Sequence, residues 1–122
     1  MIVAGLGFSS TASADSLRAA YDLASSDHVV TDLATVADKD GHPALSDFAR
    51  SLNLPLHLIA ADDLSGQRTL TCSPRSRATY GTGSVAEAAA LAAAGSGARL
   101  LSPRHISTDR LATCAVAIGA PS

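Results

Sequence analysis

Lys39 and Glu87 are each the only residue of their type in a chain whose other charges are all Arg and Asp. Lys39 lies in Asp38-Lys39-Asp40-Gly41, where an ammonium can hold a ligand carboxylate or serve as a general acid or base. The competing reading of that tetrapeptide is a solvated turn with a local ion pair. Glu87 closes Gly81-Thr82-Gly83-Ser84-Val85-Ala86-Glu87. Ser84 and Glu87, three apart, have the spacing of a capping box, so the glutamate caps a helix first and ranks second as a catalytic candidate. The glycines ahead of Ser84 leave that helix start open to an anion, which makes Gly81, Thr82, Gly83 and Ser84 candidate ligand contacts.

Two further segments can reach a ligand. In Gly5-Leu6-Gly7-Phe8-Ser9-Ser10-Thr11, Gly5 and Gly7 allow a tight turn and close approach, and Ser9, Ser10 and Thr11 add hydroxyls. It is no dinucleotide fingerprint, because the third glycine would fall at Ser10, and it lacks the Walker lysine. A tight turn with a serine-rich cap is the plainer reading. In Ser73-Pro74-Arg75-Ser76-Arg77 the guanidinium groups can grip carboxylates in bidentate fashion, with Ser73 and Arg75 as the candidates. The histidines 28, 42, 57 and 105 have no metal-ligand spacing, and neither a Ser–His–Asp nor a Cys–His arrangement can be assembled. No metal or cofactor is expected.

Elements that position these residues follow from the apolar periodicity. Ile2-Val3-Ala4-Gly5 starts as a strand and turns at Gly-Leu-Gly. Ser13 caps a helix with Leu17, Ala20, Tyr21 and Ala24 on one face. Residues 28–36 suit a second strand, ending just before Asp38-Lys39, and Pro43 opens a helix striped by Leu45, Phe48, Ala49 and Leu52. A third strand spans 54–59, and 60–64 make one helical turn. A long polar loop covers 65–82, a helix runs from Ser84 to Gly95, and strands 99–106 and 111–118 close an antiparallel hairpin. The expected fold class is α/β, with a mixed central sheet and helices on both faces.

The 122 residues suit one domain, and 47% hydrophobic types with a net charge of -2 exclude a disordered tail and argue against a nucleic-acid partner. Alanine occurs 25 times while aromatics are 3%, so helices must pack through small side chains. Cys72 and Cys114 show no CxxC pattern, and two thiols in a reduced compartment are expected over a disulfide. The absence of a basic leader or a membrane-length apolar run suggests a cytoplasmic protein without a membrane partner.

In order and spacing, Gly5-Leu6-Gly7, Asp38-Lys39, Leu45-x-x-Phe48-Ala49-x-x-Leu52, Ser73 and Gly81-Thr82-Gly83-Ser84-Val85-Ala86-Glu87 form a recognisable set. With the closing strand Ala112-Thr113-Cys114-Ala115-Val116-Ala117-Ile118, they resemble the cobalamin biosynthesis CobE/CbiG family. The likeness is to the CbiG C-terminal domain and spans almost the whole chain, read as one domain over residues 1–122. The resemblance implies a role in the corrin pathway: binding or processing a precorrin-type tetrapyrrole through glycine-rich helix starts and Lys39. It also implies two alternatives, a CbiG-like opening of the cobalt-precorrin-5A lactone, or an accessory domain docking on another pathway enzyme. His42-Pro43 departs from the family pattern, which has an acidic residue there. A precorrin is a flat apolar macrocycle rimmed by carboxylates, and helix starts, one lysine and a few arginines suit such a rim. The sequence leaves the oligomeric state and the strand order open.

Overall fold

The computed structural model describes residues 1–120, except for the side chain of Arg75. Its elements are β1 (Ile2–Phe8), α1 (Ala14–Ser25), β2 (Asp32–Val36), a 3-10 turn (Ala37–Lys39) and α2 (Pro43–Leu52). After them come β3 (Leu56–Ile59), α3 (Ala61–Leu64), α4 (Pro74–Tyr80), α5 (Val85–Ala94), β4 (Arg99–Ile106) and β5 (Ala112–Ile118). The strands form one sheet in the order β3-β2-β1-β5-β4. β1–β2 and β2–β3 are parallel, whereas β1–β5 and β4–β5 are antiparallel. The expected mixed α/β sheet with a closing hairpin is therefore present.

Side chains alternate across β1, so its two faces carry different loads. Ala4, Leu6 and Phe8 face α1 and α2, where Leu17, Leu45 and Phe48 fill a core of large residues. Val3 and the two glycines face α5, where Ala88 and Ala89 complete a small-residue layer. A Cβ on Gly5 would run into the Ala86 carbonyl and come within 2.7 Å of the Ala90 amide. Backbone thus touches backbone where α5 crosses β1, which explains both the glycine and the alanine content. α5 is buried along Val85–Leu91 because the sheet lies on one side and the 65–82 segment on the other.

Three expectations need correction. The Gly5-Leu6-Gly7 run is not a turn: β1 continues to Phe8, paired residue by residue with β5. The 65–82 segment is not wholly loop, for α4 lies within it. Ser73 caps α4, Pro74 is its first residue, and Gly81 ends it in the left-handed conformation at φ 68°. Those termini are ordinary start and stop signals, but Arg-Ser-Arg-Ala-Thr between them carries no apolar stripe, so periodicity alone passes over it. β2 is also shorter than expected, beginning at Asp32.

Candidate functional site

Chain order along the sheet reverses at β1, and an open cleft of about 530 Å³ lies beyond the carboxyl ends of β1 and β2. Ligands of α/β sheets collect at this kind of crevice. Its floor is Gly7 and Phe8, continued by Ser9 and Ser10. Lys39, from the turn after β2, stands at one side. Ser73, Ser76, Thr79 and Tyr80 present one face of α4, and Ser84 and Val85 bring the start of α5. The hairpin adds Arg104 and Ile106 from β4, then Arg110 and the first residues of β5.

Among the described residues, charge in this cleft has one sign: Lys39, Arg104 and Arg110 line it and no carboxylate does. Among the described residues, none of the three cations is in an ion pair. Lys39 Nζ lies 5.2 Å from the centroid of the Phe8 ring, and this cation–π contact keeps the ammonium at the mouth. His42 braces the same corner. Its Nδ1 accepts from the Ala44 amide at 3.2 Å, capping α2, so Nε2 carries the proton and donates to the Ser10 carbonyl at 2.9 Å. The His42 ring meets Phe8 edge-on at 5.1 Å between centroids.

The α4 wall is tied down by one side chain. Tyr80 Oη lies 3.0 and 2.8 Å from the two oxygens of Asp38 and donates to that carboxylate. Burial, and then the Asp38 carboxylate, push the phenol up to about 12. Tyr80 therefore keeps its proton and its bond across the neutral range. Asp38, exposed at the end of β2, serves as this anchor rather than as a cleft residue.

Glu87 has a different task from the one its spacing suggests. Only half of the capping box forms, with Ser84 Oγ accepting from the Glu87 amide at 3.2 Å. The carboxylate, fully buried, turns away and accepts from four donors instead. These are the Leu70 amide (2.6 Å), the Thr71 amide (3.0 Å) and hydroxyl (2.9 Å), and the Arg104 amide (2.8 Å). It thus fastens the 65–82 segment to the edge strand β4. Four donors occupy its lone pairs, and it does not line the cleft, so the geometry leaves it no acid–base part there.

Of the residues singled out in the sequence, the fold brings Gly7, Ser9, Ser10, Lys39, Ser73 and Ser84 to the cleft. Gly5 lies beneath α5, Gly81 ends α4, and a Cβ on Gly83 would come 2.7 Å from the Thr71 carbonyl, so these three shape backbone. Thr11 is exposed outside the cleft, its hydroxyl 3.0 Å from that of Ser9. Thr82 is buried, its hydroxyl without a partner among the described residues. The Arg75 side chain lies outside the described residues, and Arg77 is exposed on α4 away from the cleft lining. Arg104, Arg110 and Tyr80 went unrecognised in the sequence, because an arginine on an edge strand or in a hairpin turn has the pattern of a solvated face. Cys72 and Cys114 are free thiols, and burial raises the Cys114 thiol far above its ordinary value, which makes it a packing residue. No group of three or more metal-ligating side chains converges among the described residues, and no described helix is long and apolar enough to cross a membrane.

Fold and site together define an α/β domain with a cationic crevice at the sheet's switch point. Residues 2–117 match the family described as cobalamin synthesis G C-terminus, and the chain belongs to that family. Three solved structures are similar. CobE, a protein from the cobalamin (vitamin B12) biosynthetic pathway, superposes with a TM-score of 0.84 at 32% identity, over 96% of this chain and 89% of that one. The cobalamin biosynthesis protein chiG from Agrobacterium tumefaciens gives 0.76 at 33% identity, over 99% and 100%. A cobalamin biosynthesis protein G homolog from Sulfolobus solfataricus gives 0.69 at 20% identity, over 95% of this chain but 36% of that longer one, and shares the fold. No curated protein matches the sequence. The protein is a cobalamin biosynthesis protein of the CobE/CbiG type.

Proposed function

We propose that this domain binds a multiply carboxylated, precorrin-type tetrapyrrole in the cleft beyond β1 and β2. The observation that carries the reading is the cleft's charge: three cations and no carboxylate among the described residues, in a chain whose net charge is -2. Unneutralised cations sharing one crevice repel each other, and an anion with several carboxylates relieves them together. Serine and threonine hydroxyls along α4 and just after β1 supply hydrogen bonds to the same rim. Phe8, Val85, Ile106 and Leu111 offer an apolar surface for a flat ring. Lys39 is in this reading an anion contact, held by Phe8. The family's place in cobalamin biosynthesis supports a tetrapyrrole over other polyanions. Titration of the purified protein with uroporphyrin, an available carboxylate-rimmed macrocycle, is expected to shift its main absorption band saturably, with affinity falling as salt rises. A spectrum that does not move, with no saturable binding, refutes the reading.

A further inference from the structure

We infer that Arg104 and Arg110 of the β4–β5 hairpin form a two-arginine grip that selects ligands by the number of free carboxylates they carry. This rests on the cleft being the tetrapyrrole site and adds which group reads the ligand's rim. The hairpin departs from regular geometry at both arginines. Pairing of β4 with β5 slips between Ser102 and His105, and Arg104 lies inside that slip. Irregularities of this kind re-aim side chains beside sites. The Arg104 amide, which a regular edge strand would leave to solvent, is taken by Glu87, so the backbone of this cleft-lining residue is clamped. Arg110 closes the turn by donating its amide to the Ser107 carbonyl at 2.9 Å, with φ at 63°. This is the position in such a hairpin where glycine fits without strain, yet the chain places a cleft-lining arginine there.

The neighbouring acid does not neutralise Arg110. Asp109 is occupied by the Ser107 hydroxyl at 2.6 Å, the Leu111 amide at 3.0 Å and the Ser16 hydroxyl. Those bonds anchor the turn to the start of α1, which makes the presentation of Arg110 rigid. Two planar forks on a clamped hairpin match carboxylates in bidentate fashion, whereas an amide or ester in the same place would leave both cations unmatched.

The test measures the affinity of uroporphyrin and of coproporphyrin, which carries half as many carboxylates, for the full chain and for R110G and R104Q. R104Q keeps the backbone bond to Glu87, and R110G removes the left-handed strain. Expected are tighter binding of uroporphyrin than of coproporphyrin by the unaltered chain, and at least a tenfold loss for uroporphyrin in each variant, with the preference narrowed. R110G is expected to melt at the same temperature or higher. Unchanged uroporphyrin affinity in both variants overturns the grip while leaving the tetrapyrrole site standing. A melting temperature several degrees lower in R110G also overturns it, since Arg110 would then be structural. If neither porphyrin binds the unaltered chain, calorimetry with mellitate, a benzene ring carboxylated at every carbon, decides. Mellitate binding that R110G abolishes upholds the grip and removes the tetrapyrrole, and no mellitate binding removes both.

Discussion

Around Glu87 each carboxylate oxygen is met by donors and sealed from water, whereas around Lys39 three cations share an open crevice with no acid among its described lining residues. The two unique charges of the chain thus ended in opposite surroundings. A buried charge persists only when its hydrogen bonds are complete, so the Glu87 node serves architecture. In the proposed reading, the like charges at the sheet's switch point are the contacts for an anion. Completeness of partners, and not residue type, separates the structural ion from the one proposed to bind.

That comparison can be broken most forcefully at its structural end. Glu87→Ala leaves four donors without their acceptor, and at roughly 1–3 kcal/mol per unmet buried group the loss should be at least about 4 kcal/mol, read as a large drop in urea midpoint. A chain that keeps its midpoint would show the node to be dispensable. Gly5→Ala forces a methyl into the α5 backbone, and overpacking of this kind is expected to cost about 2–3 kcal/mol in the same measurement. At the binding end the affected property is affinity and not stability. Lys39→Ala should weaken uroporphyrin about tenfold, or about 1.4 kcal/mol, while moving stability by less than about 0.5 kcal/mol. Equal losses of stability and affinity would erase the distinction between the two regions.

Smaller effects sharpen it. Tyr80→Phe removes the tether between α4 and Asp38, for about 1 kcal/mol of stability, and protection of α4 amides from hydrogen exchange should fall before that of α5. Asp109 provides the pH test. Hydrogen bonds from Ser107, Ser16 and Leu111 hold its carboxyl below the ordinary value. A depressed native value means stability present above the unfolded-state value and lost as pH falls through the native one. Asp109→Asn should therefore melt lower than the unaltered chain at neutral pH and converge with it in acid. A constant gap between the two melting curves would show that the carboxylate's charge plays no part.

Much of this architecture was legible in the residues. Ser13, Pro43 and Gly95 mark helix ends by the local chemistry of capping, and alternating or helical apolar spacing marks most of the elements between them. Lys39 at a strand end, and Ser9, Ser10, Ser73 and Ser84 near helix or strand ends, were visible as candidates because such positions recur at α/β crevices. The role of Gly5 was not: a glycine that opens a turn and one that admits a helix backbone read alike until α5 is laid across β1.

The fate of the charges was decided only in three dimensions. Local sequence specifies the donors and acceptors within a turn or two of a residue, which is why half of the Ser84–Glu87 capping box formed as its spacing required. It says nothing about donors arriving from 16 or 17 residues away, and those from Leu70, Thr71 and Arg104 drew the Glu87 side chain out of the cap. Arg104 and Arg110 likewise gained meaning only when the hairpin folded back beside β1 and brought them to the crevice that Lys39 faces. By itself the sequence determined most of the elements and which family's pattern they follow, because those depend on neighbours along the chain. Which charges are satisfied and which remain for a ligand depends on neighbours across it.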